Sequence, residues 1–148
     1  MHDDGRIPKD NPFANNPKAL PTIWSFGHRN PQGLALSPAT GQLFAVEHGP
    51  RGGDELNLIG KGKNYGWPVI TYGMEYDGRA ITDVTHREGM EQPLTYWVPS
   101  IAPCGMNFYS GNAFPKWKNQ AFVASLAGQQ LVRIEIKDSK VVSQEIVV

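Results

Sequence analysis

The chain has 148 residues, enough for one domain with a real core, and its fourteen Lys and Arg balance fourteen Asp and Glu. That balance, with basic residues scattered, argues against nucleic acid as the main partner. No apolar stretch approaches the roughly 18 residues of a membrane helix. The single cysteine, Cys104, excludes an intrachain disulfide and any multi-cysteine zinc site.

The N-terminal residues Met1–Arg6 are polar and form no signal-peptide core. From this the protein is expected either to stay in the cytoplasm or to be encoded with further residues upstream. Sixteen glycines and twelve prolines interrupt nearly every window before helical periodicity is established. The composition therefore predicts a turn-rich all-β domain. Pro8–Pro21 is a loop. Strands are predicted at Thr22–Phe26, Gly33–Leu36, Gln42–Glu47, Glu55–Ile59, Leu94–Trp97, Met106–Tyr109, Gln120–Ser125, Gln130–Ile136 and Val141–Val148. Val69–Glu91 is a long excursion between strands.

Two stretches look alike. Gly33–Ser37 leads through a turn to Leu43–Glu47, and Gly105–Ser110 leads through a longer turn to Ala121–Ser125. A repeated antiparallel unit of about 40–50 residues suggests a β-propeller, of which this length holds about three blades. Closure needs at least four, so an arc with open edges is expected.

Four polar clusters could carry chemistry. Gly27–Gly33 holds Arg29, Asn30 and Gln32; an Arg fork and two amides suit a flat, carboxylate- and carbonyl-bearing ligand. The same residues also make an ordinary turn. Glu47–Asn57 joins glycines to carboxylates, the oxygen-rich chemistry that Ca²⁺ takes. The alternative is an exposed acidic hairpin with Asp54 and Glu55 as a solvated pair. Asn64–Pro68 places Trp67 for core packing. Trp97–Met106 is an extended segment in which Ser100 could reach a ligand. Cys104 is expected to be small and buried. His2, His28, His48 and His86 show no metal-ligand spacing.

Taken in order, Gly27–Ala35, Glu47–Asn57, Asn64–Pro68 and Pro99–Met106 resemble the glucose/sorbosone dehydrogenase family, most closely its soluble aldose sugar dehydrogenase branch. Ile7–Phe13 is similar too. The resemblance implies a six-bladed β-propeller that uses pyrroloquinoline quinone (PQQ) and Ca²⁺ to oxidise aldose sugars and pass electrons to an external acceptor. It implies a periplasmic or secreted location for the family member. Arg29, Asn30 and Gln32 would face the quinone, with Ser100 and Tyr76 as further contacts. Gly49 and Pro50 would give carbonyls to the Ca²⁺ beside it. Glu55 and Tyr65 would serve a second, structural Ca²⁺.

The chain also departs from the family pattern. The family's general-base His lies upstream of the matched part. Leu126-Ala127-Gly128 stands where the glucose dehydrogenase branch has a cofactor-binding Lys. A later Arg pair has no counterpart, and Cys104 replaces a usual Ser. The expectation is a central segment, lacking the first and last blades, that supplies clamps but no base and is inactive alone. The rival readings are a non-catalytic propeller binding module and an orphan gene fragment.

Overall fold

The computed structural model describes residues 2–148. Eight strands form two four-stranded antiparallel sheets, ordered β1-β2-β3-β4 and β5-β6-β7-β8. The first contains β1 (Pro31–Leu36), β2 (Leu43–Glu47), β3 (Asp54–Ile59) and β4 (Thr95–Trp97). The second contains β5 (Pro103–Phe108), β6 (Ala121–Ser125), β7 (Gln130–Lys137) and β8 (Lys140–Ile146). Among the described residues the only helical piece is the 3₁₀ turn Pro115–Trp117.

The all-β expectation holds, and each sheet is one blade of a propeller arc. The number of complete sheets is two, where length alone suggested about three. Residues 2–30 and 60–94 form loops and isolated bridges rather than strands, and they use the length of a further blade. The predicted strand Thr22–Phe26 is one of these corrections. Only Phe26 pairs, in a single parallel bridge to Asn64, because Pro21 and Gly27 bracket a stretch too short to extend a ladder.

The repeat read in the sequence is real at the level of register. Pro31 pairs Glu47 and Pro103 pairs Ser125, and each inner strand slips one residue before Gly33 or Gly105. Proline is tolerated here because β1 and β5 are edge strands. The bulge in each bends the strand away from the ladder.

Alternation along the strands sorts the two faces of the first sheet. Phe44, Val46 and Leu56 point to the second sheet and meet Phe108, Val123, Val132 and Ile134 in one core. Phe44 and Phe108 make an edge-to-face pair at 5.2 Å. The opposite face of β2 and β3 carries Ala45, Glu47, Glu55 and Asn57, paired across the ladder as Ala45↔Asn57 and Glu47↔Glu55. The excursion after β3 roofs this polar face. It is fastened to β4 by Tyr72 stacked on Tyr96 at 3.8 Å and bonded through Tyr72 Oη to Gln92.

The two inner strands approach closely at Gly33. A Cβ there would lie 2.7 Å from the Met106 nitrogen and 3.0 Å from the Gly105 Cα. Backbone cannot yield as a side chain can, so Gly33→Ala should cost about 1–3 kcal/mol by overpacking. Phe44→Ala should cost about 3–5 kcal/mol by leaving a cavity. Urea unfolding of the two variants checks this; an unchanged midpoint for Gly33→Ala would mean the sheets are not held at this spacing.

Candidate functional site

Antiparallel pairing brings three of the four sequence clusters to one rim of the first sheet, and the parallel Phe26–Asn64 bridge brings Asn64–Pro68 beside the first of them. The start of β1 lies beside the end of β2, which lies beside the start of β3 and the end of β4. Arg29 and Asn30 precede β1, Gly49 and Pro50 follow β2, Asp54 and Glu55 open β3, and Ser100 follows β4. The Leu126–Gly128 turn sits at the matching end of the second sheet.

Arg29 is half-buried, with its guanidinium carbon 5.4 Å from the centre of the Trp67 ring. Trp67 is correspondingly half-exposed rather than a core residue, because its ring is the cation's platform. Nη1 of Arg29 donates to the carbonyls of His48 (3.2 Å) and Gly49 (3.1 Å). Its other guanidinium nitrogens make no hydrogen bond among the described residues. The Gly49 carbonyl thus serves Arg29 and keeps one lone pair for a further partner. Pro50 is buried beneath Gly73 of the excursion.

Asn30 and Gln32 are exposed on the same rim, where Gln32 Nε2 donates to Asn30 Oδ1 at 2.8 Å. Ser100 is half-buried and its hydroxyl donates to Asp54 Oδ2 at 2.6 Å. Tyr76 stands at the tip of a hairpin in the excursion, 71% exposed. That hairpin returns to the rim through the Met74–Arg51 bridge, next to Pro50. Cys104 is exposed, contrary to expectation, because the register slip between Pro103 and Gly105 takes it out of the ladder's alternation.

The acidic cluster is not a solvated hairpin: Asp54 is fully buried and Glu47 is 4% exposed. Glu47 accepts from the backbone N–H of Arg29 (2.7 Å) and from Asn57 Nδ2 (2.9 Å), and its other near partner is His28 Nδ1 (3.0 Å). Asn57 Nδ2 also reaches Glu55 at 3.0 Å, so one amide bridges two carboxylates. The sequence reading named Asp54 only as half of a solvated pair and did not single out Glu47 or Asn57. The alternation of residues 47, 55 and 57 across a hairpin was the available signal, and it needs the register to be read.

His28 is locked. Its Nε2 lies 2.9 Å from Ser25 Oγ, its Nδ1 faces Glu47, and its ring stacks on Tyr65 at 4.4 Å. His48 commits Nε2 to the Pro103 carbonyl at 2.7 Å. Tyr65 is buried, and its hydroxyl bonds the Leu58 carbonyl and the Gly60 N–H. Its backbone oxygen has no hydrogen-bond donor among the described residues.

Burial pushes the Glu55 carboxyl up to about 7, and the neighbouring Glu47 charge adds to this against the Asn57 bond. For Glu47, burial works in the same sense, but the bonds from His28 and Arg29 outweigh it and hold the carboxyl below the usual range. Two carboxylates directly opposite on a ladder repel. A cavity of about 10 Å³, room for one water or one ion, is lined by Glu47, Glu55, Gly49, Tyr65 and Thr71 among others. Buried Asn57 Oδ1 has no partner. No cluster of three His, Cys, Asp or Glu side chains could hold a metal among the described residues. A cation here would be held by carboxylate and backbone oxygens, the donor chemistry of Ca²⁺. The residues fit that ion, whereas a quinone is far too large for the cavity and would have to lie on the open rim.

The glucose/sorbosone dehydrogenase family model matches residues 1–148. The chain belongs to this family. It is 45% identical over 143 residues to an aldose sugar dehydrogenase of Escherichia coli, covering 95% of this chain and 38% of that protein. The apo-form crystal structure of the soluble aldose sugar dehydrogenase from Escherichia coli superposes with a TM-score of 0.93 at 40% identity, over 100% of this chain and 43% of that one. The PQQ-bound aldose sugar dehydrogenase of Streptomyces coelicolor gives 0.71 at 32% identity, over 99% and 37%. The chain thus spans about two fifths of the length of these relatives. Among the described residues no helix is long and apolar enough to cross a membrane.

The carboxylate pair gives a pH signature. The folded chain holds the Glu55 proton more tightly than the unfolded chain, whose ordinary value is 4.5. Stability without metal should therefore fall as pH rises from 4.5 to about 7. Glu47 acts oppositely: its stabilisation is present above its unfolded value and is lost below it, outside this window. Thermal melts in EDTA between about pH 5 and about pH 8 should show the decline, and Glu55→Gln should flatten it. Equal slopes for the two chains would remove Glu55 as the cause.

Proposed function

We propose that this chain forms the cofactor- and metal-binding rim of a PQQ- and Ca²⁺-dependent aldose sugar dehydrogenase. The observation that carries the reading is the convergence of Arg29, Asn30, Gln32, Gly49, Pro50 and Ser100 on one rim, beside an ion-sized acidic cavity. Membership of the sugar dehydrogenase family and the likeness to a PQQ-bound relative support it.

The bound quinone would supply the redox chemistry, accepting a hydride from the sugar's C1. Arg29 would clamp one of its carboxylates: the Trp67 ring and the two carbonyls fix one side of the guanidinium and leave its other nitrogens to donate. The exposed Asn30 and Gln32 amides would bond carbonyl or carboxylate edges, and Tyr76 would approach from the excursion. The Gly49 carbonyl, with Pro50, would face one Ca²⁺. Glu55 and the Tyr65 backbone oxygen would hold the other, with the Glu55 proton released to solvent on binding. The substrate is an aldose and the electrons leave to an external acceptor, in the periplasm or outside the cell.

The resemblance puts the family's general-base His upstream of the matched residues, and His28 is bonded at both ring nitrogens and covered by Tyr65. The chain by itself is therefore expected to show no dye-linked glucose oxidation with PQQ and Ca²⁺ supplied, since a missing base costs about 10²–10⁴-fold. Turnover matching a complete relative would show that the base lies within these residues.

Arg29→Lys in a complete enzyme carrying this segment should weaken PQQ binding about ten-fold or more, because the charge stays but the planar fork is lost. Lys9→Ala, in the N-terminal loop, should leave it unchanged. Titration of both variants with PQQ measures this, and equal affinity for Arg29→Lys and the unsubstituted enzyme would exclude Arg29 from the site.

A further inference from the structure

We infer that Asp54 is the positioning residue of this rim: one buried carboxylate that holds the Gly49–Pro50 turn and the Ser100–Ala102 crossover at a fixed separation. The inference rests on the proposed function for its consequence, since these are the loops given to metal and quinone. The geometry itself stands on the hydrogen bonds alone.

Asp54 is fully buried, yet among the described residues it pairs with no lysine, arginine or histidine. An ionised carboxylate in that position must be satisfied by donors or it is prohibitively costly. Its two oxygens divide the work between two loops. Oδ1 accepts the Gly49 N–H at 2.9 Å. Oδ2 accepts the Ser100 hydroxyl at 2.6 Å and the N–H groups of Ile101 at 2.8 Å and Ala102 at 2.9 Å. Charge-assisted bonds of this kind are shorter and stronger than neutral ones.

The register explains why this aspartate can do it. Asp54 is the first residue of β3 and pairs Trp97, the last of β4. Its side chain therefore sits where the chain both leaves the β2–β3 turn and crosses to the second sheet. The crossover is then passed on. Leu126 N–H donates to the Ala102 carbonyl and Ala127 N–H to the Ile101 carbonyl, each at 3.0 Å. His48, next to Gly49, reaches the Pro103 carbonyl from the other side. Ala102 holds φ at +49°, unfavourable for alanine, while its N–H meets both Asp54 and Ser100 Oγ.

The same geometry redefines Ser100. Its one proton goes to Asp54 and its oxygen already accepts from Ala102, so it has no donor for a ligand. Ser100 acts chiefly by supporting Asp54.

Asp54→Asn separates the two duties. An amide can turn its oxygen to the three crossover donors, but its NH₂ then faces the Gly49 N–H, so the turn is released first. Native-state hydrogen exchange by NMR on the metal-free chain reads this directly. In the unsubstituted chain Gly49, Ile101 and Ala102 should open together, with protection within about ten-fold. Asp54→Asn should accelerate Gly49 exchange by about a hundred-fold while Ala102 changes less. Gly49 opening independently of Ala102 in the unsubstituted chain overturns the inference, even where the variant fails to fold.

The second readout is the Ca²⁺ concentration that half-saturates PQQ uptake in a complete enzyme carrying this segment. Asp54→Asn should raise it about ten-fold or more, and Ser100→Ala by a smaller factor. A lower melting temperature with an unmoved half-saturation would make Asp54 a structural residue only, and would overturn its positioning role. If the unsubstituted enzyme takes up no PQQ, the functional reading fails, and the exchange experiment alone decides for or against Asp54.

Discussion

Three carboxylates, Glu47, Asp54 and Glu55, leave bulk water at one rim of a β-sheet with no lysine or arginine paired to them among the described residues. Burying such charge is expensive, and only dense hydrogen bonding or a cation offsets it. The local structure follows from that demand. Arg29 N–H, Gly49 N–H, Ile101 N–H and Ala102 N–H all turn inward to carboxylate oxygens. Loops that would otherwise be free are thereby pinned to the sheet.

The three acids are satisfied unequally, and this divides their roles. Asp54 receives four donors, one on Oδ1 and three on Oδ2. Glu47 has backbone, amide and imidazole partners and stays below the usual carboxylate range. Glu55 has only the shared Asn57 amide, and burial beside Glu47 pushes it up to about 7. The incomplete member lines the ion-sized cavity together with Glu47. An arrangement with one unmet negative group among satisfied neighbours recruits either a proton or a metal, and the two compete.

The apolar half of the fold makes the polar half possible. Phe44, Val46 and Leu56 pack the first sheet on the second, which leaves the opposite face of the same strands free for Glu47, Glu55 and Asn57. The excursion after β3 covers that face with Tyr65, Ile70 and Thr71 and leaves beneath it a cavity the size of one water or ion. The contact of Gly33 with Gly105 and Met106 sets the spacing of the inner strands. Sheet packing, roof and rim are thus coupled through β2 and β3.

The sequence by itself determined the strand-and-turn character, because glycine and proline frequency and short β-branched runs are local properties. It located eight of the strands within a few residues, and it exposed the repeat at Gly33 and Gly105. The ordered motifs also identified the family and the polar clusters. Tertiary structure decided which cluster residues are buried and what they touch. Asp54 and Glu55 are adjacent in sequence and read as a solvated pair, but strand alternation sends them to opposite faces, one into a set of hydrogen-bond donors and the other toward a cavity. Thr22–Phe26 has strand-like residues, but its pairing with residues 62–65 amounts to one isolated bridge, too little for a ladder. Cys104 is small and apolar enough for a core, yet a one-residue slip turns it outward. Burial, partner and face depend on register, and register is a relation between distant segments that no local run of residues contains.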